Sequence, residues 1–195
     1  MSEEKKWIGV AYKLFNDKKR VKRIGVAIYF FLYILEKTNR QTGKCLIKYI
    51  EIEREIEINL KACQRYTERL EKNQIITSTP KQYGFDVKII NFEKLYLKAL
   101  ECKGNFTRIK KELYRKKKHR EKLGKYGWIY FYMLSNMDPA TGKIIRKYET
   151  ISKATGFSID SVKEAKSKME RHNYTKTCRN KDSLTYQIIK HNPNQ

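Results

Sequence analysis

Acidic residues are scarce in this chain of 195 residues: 21 Asp and Glu stand against 44 Lys and Arg, a formal net charge of +23. A net charge of roughly 2 to 8 already keeps a small domain soluble. The surplus therefore points to a polyanionic partner, nucleic acid first and an acidic membrane surface second. No stretch of about 20 apolar residues exists, and the most apolar run, residues 24–35, is too short to span a bilayer, so no membrane partner is expected. The opening residues Met1-Ser2-Glu3-Glu4-Lys5-Lys6 lack the apolar segment of a secretory signal, and a cytoplasmic location is expected. The cysteines, Cys45, Cys63, Cys102 and Cys178, form no CxxC pair, which argues against a structural disulfide or a zinc site. Histidine is almost missing too. His119, His172 and His191 lie in unrelated contexts with no nucleophile and base beside them, so neither an enzyme nor a cofactor is expected.

What the chain does contain is one pattern written twice. Residues 7–92, moved forward by 99 positions, fall without a gap on residues 106–191. Leu14 lands on Leu113, Lys18-Lys19 on Lys117-Lys118, Gly25 on Gly124, Tyr33 on Tyr132 and Leu35 on Leu134. Thr42-Gly43-Lys44 meets Thr141-Gly142-Lys143, Lys48-Tyr49 meets Lys147-Tyr148, Glu71 meets Glu170, and Ile89-Ile90 meets Ile188-Ile189. Identity is low, yet turns fall on turns and apolar residues on apolar residues. The reading is an internal duplication with a first lobe at 1–92, a linker at 93–105 and a second lobe at 106–195. Each lobe is long enough for a modest core of its own. Cys45 and Cys63 align with Ile144 and Val162, so both read as small buried hydrophobes rather than ligands.

Each copy opens on an amphipathic stretch with three- and four-residue apolar spacing, Trp7, Val10, Ala11 and Leu14 or Phe106, Ile109 and Leu113, which predicts a helix. A second, aromatic-rich helix follows over about 24–38 and 123–137, apolar nearly all round and hence a buried central helix. The Thr-Gly-Lys turns lack the first glycine and the final Ser or Thr of a phosphate-binding loop, so they are read as turns leading into short extended pieces. Next comes helix, turn, helix. In the second copy Ile151 and Ala154 lie on the first helix and Gly156 breaks it; Ser158 caps the second, whose inward stripe is Ile159, Val162, Ala165 and Met169. The first copy repeats this with Ile52 and Ile56, a turn at Glu57-Ile58-Asn59, the cap Asn59, and a stripe of Leu60, Cys63, Tyr66 and Leu70. Glu57 in place of the turn glycine predicts a looser turn. Both copies then change period and read as hairpins, with polar tips at 79–84 and 178–183. The linker reads as a short helix ending near Gly104-Asn105.

A Gly-Lys turn, a Tyr, an Ile and a capping residue (Gly142-Lys143, Tyr148, Ile151 and Ser158), preceded by an aromatic helix and followed by a hairpin, resembles the winged helix-turn-helix domains of plasmid and phage replication initiators and of many bacterial and archaeal transcription regulators. The likeness covers both lobes and rests on pattern rather than on an invariant motif. It implies a mainly α fold with small β-hairpins, an α+β class, as two tandem winged-helix domains. It also implies duplex DNA as partner, with the replication or transcription machinery beyond it.

On that fold the face of the second helix opposite its apolar stripe enters the major groove. The first copy offers Asn59, Lys61, Gln64, Arg65 and Glu68 there; the second offers Ser158, Asp160, Ser161, Lys163, Glu164 and Ser167. Gln and Arg make bidentate contacts to base edges, whereas Lys and Ser more often serve phosphates, so the first lobe is the expected base reader. Lys48 and Lys147 precede the helix pair, and Lys81, Arg179 and Lys181 fall at wing tips, positions suited to phosphates. Residues 93–127 hold 13 Lys/Arg against 4 Asp/Glu, densest in the run from Arg115 through Lys117 and Lys118 to Arg120, which is expected to face phosphates. One monomer with two such lobes covers two half-sites. A second reading is a non-catalytic adaptor binding protein partners or structured RNA. The acid-rich first helix of the pair, with Glu51, Glu53, Glu55 and Glu57, favours it.

Overall fold

A computed structural model describes residues 6–92, 106–179 and 184–189. The expected linker helix at 93–105 and Lys181 lie outside the described residues. Among the described residues the fold is mixed α and β with three small sheets. Residues 6–92 form β1 (Trp7–Ala11), α1 (Lys18–Ile24), α2 (Ile28–Lys37), β2 (Lys44–Lys48), α3 (Tyr49–Ile56), α4 (Leu60–Lys72), β3 (Ile76–Lys81) and β4 (Gly84–Ile89). The second half forms β5 (Phe106–Lys110), α5 (Glu112–Arg115), α6 (Lys117–Leu123), α7 (Gly127–Asn136), β6 (Lys143–Arg146), α8 (Tyr148–Thr155), α9 (Ile159–Arg171), β7 (Thr175–Arg179) and β8 (Leu184–Ile188). The order of elements is thus the same in both halves, save that α5 stands where the first half has a single 3-10 turn, Tyr12–Leu14.

The first stretch of each half is a strand, not the helix its spacing suggested. Ile8 and Val10 point inward while Trp7 and Gly9 are partly exposed; Thr107 and Ile109 point inward while Phe106 and Arg108 face out. That alternation is the period of a strand, and the two strands pair with each other, antiparallel, in a register centred on Gly9 opposite Arg108. Those two residues are equivalent under the 99-residue shift. The ladder therefore relates the halves by an approximate two-fold axis through its own middle. A local reading has no access to a partner strand in the other half of the chain.

A second pair of contacts obeys the same relation. Trp128 donates its indole N–H to the Gly25 carbonyl at 2.8 Å, and Tyr29, its equivalent, donates its hydroxyl to the Gly124 carbonyl at 2.9 Å. Both glycines hold φ near +54°, with ψ of −130° and −137°. A side chain is strained in that region, which accounts for glycine at both positions. Around these contacts the Phe15 ring meets Trp128 and Phe131 at 6.1 and 5.5 Å. The buried side chains form one contiguous core running through both halves rather than one core in each. That is why α2 and α7 are apolar all round: Tyr29 on α2 meets Phe131 of α7 across the halves at 6.0 Å, while Phe30 packs on Tyr66 within its own half at 6.1 Å.

In each half the two helices after the edge strand pack across a short turn. Glu57 adopts the left-handed conformation (φ 48°) that Gly156 adopts in the second half (φ 76°), and its N–H still closes on the Glu53 carbonyl at 3.0 Å. The turn is as tight as its glycine counterpart, contrary to expectation. Contacts across the halves hold it there: Glu57 accepts from the Lys117 backbone N–H and Arg120 donates to its carbonyl, both at 3.4 Å. The caps form as read, with Asn59 accepting from the Ala62 N–H at 2.8 Å and Ser158 from the Ser161 N–H at 3.2 Å. Leu60 and Ile159 leave the inward stripe, at 51% and 37% exposure, because the first helical residue lies beyond the packed turns that Cys63, Leu70, Val162, Ala165 and Met169 bury.

The hairpins each gain the preceding strand, giving orders β2-β4-β3 and β6-β8-β7. The first tip is shorter than expected, since β3 runs to Lys81 and β4 resumes at Gly84. A side chain at Gly84 would strike the Ile47 carbonyl, so the crossing of β2 and β4 requires glycine. The repeated glutamate clamps hairpin to helix. Glu71 accepts from the Ser78 N–H and hydroxyl at 2.8 and 2.6 Å. Burial opposes the charge on its equivalent Glu170, but hydrogen bonds from Lys166 and Thr177 hold that carboxyl below the usual range.

Candidate nucleic-acid interface

The outward faces of α4 and α9 are equivalent in position and different in state. On α4, Lys61, Gln64, Arg65 and Glu68 are exposed, and among the described residues no carboxylate lies within ion-pair distance of Lys61 or Arg65. Arg65 rests its guanidinium over the Tyr66 ring at 5.3 Å, which orients it without neutralising it. On α9, Lys163 pairs with Asp160 at 3.3 Å, Glu164 accepts from the Tyr126 hydroxyl, and Ser167 donates to the Lys163 carbonyl at 3.2 Å. Asn59, Ser158 and Ser161 are occupied in helix caps. The one face presents donors to solvent, and the other satisfies its own.

The basic run splits between two jobs. Arg115 is withdrawn from any phosphate: it bonds Glu36 at 2.5 and 3.0 Å and lies 3.4 Å from Glu55. Lys111 (2.8 Å) and the Tyr114 hydroxyl (2.8 Å) complete the shell of Glu36. Burial works against the charge there, but the hydrogen bonds from Arg115, Lys111 and Tyr114 outweigh it and hold Glu36 below the ordinary glutamate range. His119 is buried with its Nδ1 2.6 Å from the Tyr174 hydroxyl, and Arg120 donates to the carbonyls of Tyr114, Arg115 and Glu57. Lys117 and Lys118 stay exposed, Lys117 only 3.8 Å from Glu121. Neither the ion pairing of Arg115 nor the burial of His119 has a local sequence signal, because the partners lie on α2, on α3 and, for Tyr174, just before β7.

Lys48 and Lys147 are exposed where the edge strand meets the helix pair, Lys48 loosely paired with Glu51 at 3.9 Å. Lys81 ends β3 beside the tip and pairs with Asp86 at 3.2 Å, and Arg179 is the last residue of β7. Sequence reasoning missed Lys44 and Lys143, read only as parts of turns. Both stand on the exposed face of β2 and β6, two residues before an exposed Leu46 or Ile145. The signal was available as Lys-x-Leu-x-Lys at 44–48 recurring as Lys-x-Ile-x-Lys at 143–147.

The two helix pairs are also fixed to each other. The α3–α4 turn rests on α6 through Glu57, and the α8–α9 turn rests on α1, where a side chain at Gly156 would meet the Cβ of Lys18 at 3.2 Å. Arg69 of α4 returns to α1, donating to the carbonyls of Ile24 and Lys22 at 2.9 and 3.0 Å. Each helix pair is therefore braced by the α1-type helix of the opposite half. A cleft of about 420 Å³ between α4 and α6, lined by Tyr29, Ile58, Tyr66, Lys117 and Arg120 among others, follows that seam. No helix among the described residues is long and apolar enough to cross a membrane. Compared with models of known families and with curated proteins, the chain matches none.

Proposed function

We propose that the chain is a sequence-specific double-stranded DNA-binding protein, built of tandem winged helices and serving replication initiation or transcription. The observation that carries this is the α4 face. Lys61, Gln64 and Arg65 stand exposed on a capped helix, with no carboxylate partner among the described residues, in a protein of net charge +23. Arg and Gln read guanine and adenine edges in the major groove. In this reading α4 and α9 are reading helices, β3–β4 and β7–β8 are wings, and the ladder at Gly9 and Arg108 presents both lobes to one duplex. A single chain then meets two half-sites, and because α4 and α9 differ, the site is asymmetric.

The adaptor reading rested on the acidic helix α3. Three of its four carboxylates are turned to internal use: Lys37 pairs with Glu51 and Glu55 at 3.7 and 2.9 Å, Arg115 also holds Glu55, and Glu57 takes the Lys117 N–H, while Glu53 stays exposed. That leaves basic surface as the outward character and supports the DNA reading. The test is a salt titration on a duplex pool. Engagement of about six to ten phosphates lowers affinity roughly a thousandfold or more between 50 and 200 mM salt. A flat titration, or no duplex bound at all, overturns the proposal.

A further inference from the structure

The outer face of each three-stranded sheet is more basic than a solvated strand needs, and in the first sheet the register is unfavourable unless an anion lies over it. Lys44 on β2 sits directly opposite Lys88 on β4, both exposed. Like charges directly across a ladder destabilise it. Among the described residues neither lysine has a carboxylate within ion-pair distance; Asp86, on the same face, pairs with Lys81 instead. In the second half Lys143 and Lys176 flank Gln187 from either side in the same row, again with no carboxylate partner among the described residues. The edge strands repeat the arrangement lengthwise. Lys44, Leu46 and Lys48 all face out on β2, and Lys143, Ile145 and Lys147 occupy the equivalent positions around β6, with Leu46 48% and Ile145 54% exposed. At a rise of about 3.4 Å per residue, the outer lysines of each strand stand about 14 Å apart with the aliphatic side chain midway.

We propose that β2 and β6 lie along the sugar–phosphate backbone of the bound duplex, their lysines with Lys88 and Lys176 on phosphates and Leu46 or Ile145 against a deoxyribose between them. Alternating charge and hydrocarbon suits a backbone that alternates phosphate and sugar. The inference rests on the DNA-binding reading and adds a contact surface to it: the sheet face engages the duplex sequence-independently, while α4 reads. Lys44 and Lys88 keep their opposed charges because an anion is shared between them.

The test uses the full chain. Lys44→Glu/Lys88→Glu lowers duplex affinity about tenfold or more for every sequence alike and reduces the slope of log K against log salt by about two. Lys6→Glu/Lys13→Glu, an equal charge change on exposed lysines beside the β1–β5 ladder, leaves affinity within about threefold at the same salt. Lys44→Glu alone places opposite charges across the ladder, so its thermal midpoint rises by about 2 °C while its affinity falls, a combination that structural damage cannot produce. Equal losses in the two double variants would reduce the effect to net charge and overturn the track. So would unchanged duplex affinity in Lys44→Glu/Lys88→Glu, including the case in which that variant instead loses binding to vesicles of anionic lipid. If the unaltered chain binds no duplex, the DNA reading fails before the track is reached.

Discussion

The two ends of the junction between the halves make the same contacts from different chemistry. At one end Glu36 collects Lys111, Tyr114 and Arg115. At the other, the position equivalent to Glu36 is Ser135, which takes a hydrogen bond from Asn16 at 3.2 Å, and Tyr12 donates to Asn136 at 2.8 Å. In a dimer of identical chains both ends would have to be alike. Joined in one chain, they are free to diverge, and one end is an ion cluster while the other is neutral. The same freedom reaches the outward faces of α4 and α9, where Lys61 and Arg65 stay exposed on α4 and Lys163 pairs with Asp160 on α9.

The largest effect is expected at the charged end. Glu36→Ala removes the carboxylate that Lys111, Tyr114 and Arg115 share in a largely buried site and should cost about 3 kcal/mol of stability. Ser135→Ala, its neutral counterpart, should cost about 0.5 to 1.5 kcal/mol. Denaturant unfolding of the two variants separates them, and equal losses would break the comparison. Gly25→Ala and Gly124→Ala both impose backbone strain of about 1 to 3 kcal/mol. The first should unfold earlier in the same assay, because its new methyl runs into the Arg69 guanidinium whereas at Gly124 the nearest group is the Lys168 amine at 3.3 Å.

Under the proposed DNA binding, α4 and α9 supply a sharper contrast. Arg65→Ala should cost about 1 to 3 kcal/mol on the preferred duplex and blur one base position in a selection experiment. Lys163→Ala, which removes a cation already paired with Asp160, should change sequence preference not at all. An Arg65→Ala protein with unaltered preference would remove α4 from the major groove. The smallest effect is on pH. The carboxyl of Glu36 lies below its usual value, so its contribution is complete above the unfolded glutamate pKa of about 4.3 and is lost as pH falls through the lower folded value. Glu36→Gln should flatten the acid limb of stability against pH, and an unchanged limb would show the cluster to be uncoupled from folding.

Local pattern carried much of the architecture. The buried helices α2 and α7, the caps Asn59 and Ser158, the Gly156 turn and both hairpins were legible because each is marked by residues a few positions apart, whereas the tightness of the Glu57 turn was not, since Lys117 and Arg120 hold it from the other half. Of the site, the exposed donors Lys61, Gln64 and Arg65 followed from the apolar stripe on the opposite side of their helix. Leu60 and Ile159 did not, since helical spacing alone cannot say where packing begins. The sequence by itself also determined the repeat, the basic charge and the glycines at 25 and 124. Only the tertiary structure decided that residues 7–11 and 106–110 are strands, that the halves share one core, and that Arg115 serves Glu36 rather than a phosphate. Each of those outcomes depends on a partner about 60 to 100 positions away, and until that partner is in place the same apolar spacing fits a helix as well as a strand and the same cation fits a phosphate as well as a carboxylate.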